Sequence, residues 1–323
     1  MIISVPPKDV SYVVYTDGVR YYVRRGGSRS FEYVSDDAGD VINYAINNLS
    51  SSGGKIFVKS GIYSVKSQIV INKNAVMIEG EQLGYGNVPG AKLVLDGDFH
   101  MITITGGTYF AYIRNLWLYG NDKQRSAIYI NNANDVTIEH NFIYKFNYAF
   151  IHNVNFVHIL RIIDNWIESG NGQGIWLGGT STVETVFINN NYFFNVLNAV
   201  VIPSAPTDVF SVIISNNIIR QTMQHAIVVQ KGALVTIEGN AILDAGSASP
   251  NTYDGVRLEN VNGVIVNGNS IINYKTENMK YAVEEVGTAD YNLIANNVVK
   301  SATSPAIVKL GANTVVANNV QLP

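Results

Sequence analysis

The chain has 323 residues, enough for two average domains or for one large all-β domain, so repeats rather than length decide its organisation. With 47% hydrophobic and only 15% charged residues, its surface must be covered by neutral polar side chains, which suit neutral hydrogen-bonding partners. A net charge of −3 offers no cationic field for nucleic acid or anionic lipid, and the absence of cysteine excludes disulfides, thiolate metal sites and a cysteine nucleophile.

In chain order, the opening MIISVPPKDV has neither a basic n-region nor a long apolar h-region. No segment reaches the roughly 18 uninterrupted apolar residues of a membrane span, so no membrane insertion is expected. No Sec signal peptide is visible, and an extracellular or virion-surface protein of this kind would have lost a leader or left its cell by lysis. Residues 11–25, SYVVYTDGVRYYVRR, read as a hairpin around the Asp17-Gly18 turn. Residues 1–35 are expected to form this hairpin extension, and residues 36–323 a single repeat domain.

The repeat is marked by asparagine. One returns in the same frame at Asn115, Asn141, Asn165, Asn191, Asn217, Asn240, Asn269, Asn297 and Asn319, at intervals of 22 to 29 residues. A period of this length means a solenoid with one supersecondary unit per turn. Around each asparagine the pattern alternates with period 2 and is rich in Val and Ile, as in VTIEHNFI, VIISNNII and VTIEGNAI, so the units are strands. A second motif, a small residue followed by alternating apolar positions, comes about ten residues later, as in AIYI, GIWL and GVRL. Counting the residues just after the asparagine, each turn should hold three strands. The asparagine is expected to take the left-handed backbone of a sharp corner and to stack its amide on the next coil, a structural ladder rather than a catalytic series. At the far end, ANNVQLP shows no cap in the pattern, which leaves a partner subunit or Pro323 to blunt the last strand.

Ahead of the ladder, residues 36–86 place Asp36 and Asp37 before helical spacing of Ile42, Ala45 and Ile46, followed by Gly53-Gly54, Ile56, Val58, Gly61, Tyr63, Ile78, Gly80 and Glu81. This order resembles the leading segment of the pectate lyase superfamily, which includes polygalacturonase-like enzymes and viral tail spikes. The resemblance, continued by the ladder to residue 323, implies an all-β right-handed parallel β-helix with a capping helix near 38–49 over its N-terminal end. The N-T-D, G-H-G and R-x-K motifs of polygalacturonase-like members are missing, and the D-D pair lies outside the coils. The acidic cluster that binds calcium in pectate lyases is not recognisable either, so neither metal nor cofactor is expected.

Function on a repeat scaffold concentrates where loops grow. Three loops are long: LYGNDKQRS, DAGSASPNTYD and NYKTENMKY. Beside the last two, alternation turns Arg257 and Glu259 outward, with Glu284 one coil further in the column of Arg257. That column reads Thr103, Tyr129, Ile151, Trp176, Val201, Val228, Arg257, Glu284 and Val308. His225, Asp254 and Tyr281 form a second column just before it. Asp254, Glu259, Glu284, Arg257 and His225 are therefore the candidate catalytic groups, an acid, a base and an arginine in one cleft. The favoured alternative to catalysis is a plain cross-strand ion pair between Arg257 and Glu284. Tyr129, Trp176 and Tyr281 are the candidate substrate contacts, aromatic faces for sugar rings, with an oligomer contact as the alternative for the first two. Glu285 and Lys309 fall where the pattern points inward, which predicts a slip of register there.

The leading expectation is a carbohydrate-recognising β-helix of tail-spike or surface-adhesin type with a polysaccharide or glycan partner, and the pattern admits a homotrimer. A polysaccharide lyase or glycoside hydrolase working in the same groove is the second expectation. A non-catalytic assembly protein is the third.

Overall fold

The computed structural model describes residues 10–84, 90–204, 208–274 and 278–323. The opening stretch before Val10, the last two residues of the 36–86 segment and positions 275–277 of the loop 273–281 lie outside the described residues.

About ten turns of solenoid carry three strands each. In the coil after Asn141 the strands are Phe142–Phe146, Ala149–Asn153 and Leu160–Ile163. Every strand pairs in parallel with its counterparts one coil away, which builds three walls. The first wall, of strands that follow the asparagine, is an 11-stranded sheet from Gly61–Val65 to Val320–Gln321. The second wall holds strands of the small-apolar motif, and the third those leading into the asparagine. Both belong to a 22-stranded sheet, because Ile102–Arg114 and Ile128–Glu139 each run through the two walls.

Strict alternation fills the interior. On the second wall Ile128, Ile151, Ile175, Val200, Ile227, Val256 and Val283 stack in register, all fully buried. Each such side chain contributes about 1.5–3 kcal/mol of burial, which holds the coils in phase. The helix Ala38–Asn47 closes the N-terminal end with Val41, Ile42, Ala45 and Ile46, and Asp37 caps it by accepting from Gly39 N at 2.8 Å. The hairpin strands Val10–Thr16 and Tyr21–Arg25 pair antiparallel, and the former adds in parallel to Gly54–Val58.

The ladder is present but shifted by one residue at its start. Asn141 N and Nδ2 both donate to Asn165 Oδ1 at 3.0 Å, and the same double bond repeats from coil to coil as far as Asn319. Each amide nitrogen also donates to a main-chain carbonyl, for example Asn217 Nδ2 to Ile188 O at 2.8 Å. Asn115 is not a member: Leu116 N donates to Asn141 Oδ1, so a leucine holds the ladder position there. Asn115 is instead the left-handed corner residue, with φ 56°. The expected division of labour is corrected in the same way along the stack. The left-handed backbone belongs to the residue before each ladder amide, such as Asn190, Asn216 and Gly239, and the buried asparagine serves only hydrogen bonds.

Two further expectations are corrected. The segment LYGNDKQRS is largely strand, since Trp117–Lys123 pairs along the first wall with an irregularity between Tyr119 and Lys123. The register does not slip at Glu285, which pairs with Leu258 and points inward. Its carboxylate is satisfied there by Leu310 N (2.8 Å), Gly311 N (2.9 Å), Asn292 Nδ2 (2.7 Å) and Thr314 Oγ1 (2.6 Å). Lys309 lies beyond the end of strand Ile307–Val308 and is exposed.

Candidate functional site

The outer face of the second wall carries two clusters. Toward the C-terminal end, alternation in Val256–Glu259 turns Arg257 and Glu259 outward, and Arg257 pairs in register with Glu284. The guanidinium then gathers three carboxylates. Arg257 Nη1 lies 2.9 Å from Glu284 Oε2 and 3.4 Å from Asp254 Oδ2, and Arg257 Nε lies 3.3 Å from Glu259 Oε2. Lys280 Nζ approaches Glu284 Oε1 at 3.7 Å. Burial, with the facing Asp254 carboxylate and its hydrogen bond, holds the Glu284 carboxyl above the usual range despite Arg257 and Lys280. Glu259 is held below it, chiefly by the Gln230 amide that donates at 3.1 Å.

Asp254 ends the long loop 244–254 and is fully buried, and its Oδ1 has no hydrogen-bond partner. His225 fixes it: Asp254 N donates to His225 Nδ1 at 2.9 Å, which requires a lone pair on that nitrogen. Asp254 Oδ2 also lies 3.3 Å from Nδ1. The two contacts compete for one atom, and the backbone bond has the shorter, directed geometry, so the neutral ring carries its proton on Nε2. Tyr253 sets its ring edge-on to His225 at 5.1 Å, and Tyr281 follows in the next coil, where its carbonyl accepts from Gly255 N. All five candidate catalytic residues and Tyr281 therefore meet on one stretch of wall.

Three coils toward the N-terminus, about 14 Å away, lies an aromatic cluster. His152 stacks on Trp176 with ring centroids 5.1 Å apart, His100 stacks on Tyr129 at 4.2 Å, and Tyr148 meets both His152 (5.3 Å) and Trp176 (5.6 Å). Gly178 seats the indole, since a Cβ there would stand 2.5 Å from Trp176 Nε1. Burial, with His100 nearby, lowers the His152 pKa to about 4, so its imidazole is neutral at physiological pH. Burial and Arg125 lower that of His100 as well.

This cluster corrects the expected column. Ile151 is fully buried, and His152 takes the outward place between Tyr129 and Trp176. The three apolar residues Ala149, Phe150 and Ile151 allow two inward frames, and Phe150 fills the corner beside Phe146 at 6.0 Å, which leaves Ile151 as the strand's inward residue. Sequence reasoning missed His100, Tyr148 and His152. The usable signal was position: His100 precedes Met101-Ile102 as His225 precedes Ala226-Ile227, and its Nδ1 likewise accepts a main-chain N–H, from Ser126 at 3.0 Å.

The first wall bears a separate aromatic run, Trp117, Phe142, Trp166 and Tyr192 in one column and Tyr119, Tyr144, Glu168 and Phe194 in the next. Lys92 Nζ sits 3.9 Å from the centroid of Trp117.

No protein-family model and no curated protein sequence matches the chain. Solved structures do match. The Geobacillus virus E2 protein ORF18 superposes with a TM-score of 0.74 at 13% identity, over 88% of this chain and 58% of that one. The A-module of Azotobacter vinelandii mannuronan C-5 epimerase AlgE4 gives 0.61 at 15% identity, over 88% and 91%. DFA-IIIase from Arthrobacter chlorophenolicus A6, in complex with GF2, gives 0.60 at 14% identity, over 87% and 90%. The fold is a right-handed parallel β-helix. At these identities the likeness carries the β-helix and nothing finer, and the chain spans 58% of the viral protein.

Proposed function

We propose that this β-helix recognises a glycan laid along the outer face of its second wall, from the His100–Trp176 cluster to the Arg257–Glu284 cluster. One observation carries the reading. Of the ten buried side-chain polar atoms without a hydrogen-bond partner among the described residues, six lie on the outward side of this wall or at the corner leading into it: Thr103 Oγ1, Ser126 Oγ, His152 Nδ1, Trp176 Nε1, Asn198 Oδ1 and Asp254 Oδ1. Buried polar groups are almost always paired, so their concentration on one of three equivalent walls points to partners that arrive from outside. Aromatic faces beside polar groups are the chemistry that holds sugar rings. Similar structures named mannuronan C-5 epimerase and DFA-IIIase in complex with GF2 support a carbohydrate partner.

A glycan array read with the parent and Trp176→Ala tests this, with Trp166→Ala on the first wall as the control. Binding weakened by Trp176→Ala alone supports the reading, and equal loss from both variants removes it.

The raised Glu284 beside the lowered Glu259 favours a second reading, acid–base cleavage in the same groove. Glu284 would donate its proton to the glycosidic oxygen as the C–O bond breaks, while Glu259 takes a proton from the water whose oxygen bonds to the anomeric carbon. New reducing ends that appear with the parent and not with Glu284→Gln are the result this reading requires.

A further inference from the structure

We infer that the glycan held by the second wall is uncharged and that polyuronates are excluded; the inference rests on the glycan-binding reading above and narrows it. Three columns of residues face outward or toward the leading corner of this wall, and their charges can be read directly. The first runs Thr103, Tyr129, His152, Trp176, Val201, Val228, Arg257 and Glu284. Across it the one permanent cation is Arg257, already bound by three carboxylates. The second, two residues further along the strands, includes Asn131, Gly178, Pro203, Gln230 and Glu259, with no cation between Asn131 and Glu259. The third, at the corner, includes His100, Ser126, Gln173, Asn198, His225, Asp254 and Tyr281, with no Lys or Arg.

Lys280 reaches the wall from outside these columns and is turned to Glu284. The imidazoles that would supply positive charge do not: His152 titrates at about 4 and His100 is lowered by burial. His225 Nδ1 is committed to the main chain of Asp254. Among the described residues, Asp254, Glu259 and Glu284 therefore face any ligand with Arg257 and Lys280 to offset them, and Arg125 beside His100 is held by Asp98, so these residues show no unpaired cation for a sugar carboxylate. Burying such a group there without a partner is strongly unfavourable.

What joins the two clusters is neutral. Asn198 Nδ2 donates to Gln173 Oε1 at 2.9 Å and to Gln224 Oε1 at 3.2 Å, and Gln224 Nε2 reaches Tyr253 Oη at 3.4 Å. This row of amides crosses the apolar stretch at Val201 and Val228 and ends at the carboxylates, with Asn198 Oδ1 still unpaired. Amide donors and acceptors beside aromatic and apolar faces match the hydroxyls and C–H faces of neutral pyranose or furanose rings.

The test is calorimetric titration of the full chain with maltoheptaose, cellohexaose, dextran and inulin as neutral probes, and with polygalacturonate and polymannuronate as acidic ones, at 50 and 500 mM NaCl. The expected result is binding to a neutral probe that changes less than twofold with salt, with both polyuronates at least tenfold weaker. A polyuronate that binds as tightly, or whose affinity falls steeply with salt, overturns the inference and leaves glycan recognition standing. Silence with every probe removes both. In a parallel arm, Val201→Lys, at an outward position flanked by Trp176 and Val228, supplies a free cation and should raise polyuronate affinity at low salt; no gain would show that charge is not what excludes the acidic chain.

Discussion

The two clusters of the second wall share a scaffold and differ in what is set upon it. In both, a histidine at the leading corner accepts a main-chain N–H through Nδ1, from Ser126 at His100 and from Asp254 at His225. Next to His100 the following coils supply rings, and next to His225 they supply carboxylates and one guanidinium. A parallel coil repeats backbone geometry at fixed spacing, so substitution of outward residues alone turns a stacking surface into a charged one with no change in the interior. The lesson is that chemistry here is addressed by coil number, and that each cluster can be altered without the other.

The largest effect expected is on the charged side. Arg257→Met strips three carboxylates of their shared cation and should destabilise the chain by about 3–5 kcal/mol in urea unfolding at pH 8, less at pH 5 where acids can take up protons. An equal loss at both pH values would mean that the three carboxylates do not depend on Arg257. The aromatic side should answer to acid instead. The His152 pKa falls from 6.5 to about 4 on folding, so its neutral form contributes stability present above 6.5 and lost as pH falls toward 4, up to about 3 kcal/mol. His152→Phe should flatten that part of the pH–stability curve, and an unchanged slope would reassign the acid sensitivity elsewhere.

Trp176→Ala should weaken glycan binding about tenfold, or 1.4 kcal/mol, through the lost stacking face. Affinity that stays within twofold of the parent would move the contact off this ring. The smallest effect has the opposite sign to that of His152. Glu284 has a raised pKa in the folded chain, so it stabilises fully below the ordinary carboxylate range and less as pH rises through its folded value. Glu284→Gln, which copies the protonated form, should be more stable than the parent at neutral pH and no more stable in acid. A variant less stable at every pH would show that the ion pair with Arg257 outweighs burial.

The fold was legible because its two signals, the recurring asparagine and the period-2 aliphatics, are dictated by the core of every coil. The phase of the ladder was less so. Asparagine suits both the left-handed corner and the amide stack, and the two places are adjacent, so Asn115 and Asn141 look alike although one bends and the other bonds. Arg257, Glu259 and Glu284 were readable from alternation alone. His152 was hidden by the apolar run before it, and His100 and Tyr148 stand outside strands, where no periodicity reports direction. The pattern placed Glu285 inward but could not show that it is satisfied there, because its partners Leu310, Gly311 and Thr314 come from the next coil.

The amide stack also has an arrow. From Asn165 onward each Oδ1 receives two bonds from the asparagine of the preceding coil, so the main-chain N–H of any one of these residues is answered only by its successor. Asn217→Ala should therefore speed hydrogen exchange at the backbone of Asn191, while position 217 keeps the protection it draws from Asn240. The protection of any one turn is thus borrowed from the turn that follows it, so losing a downstream amide uncovers its upstream neighbour.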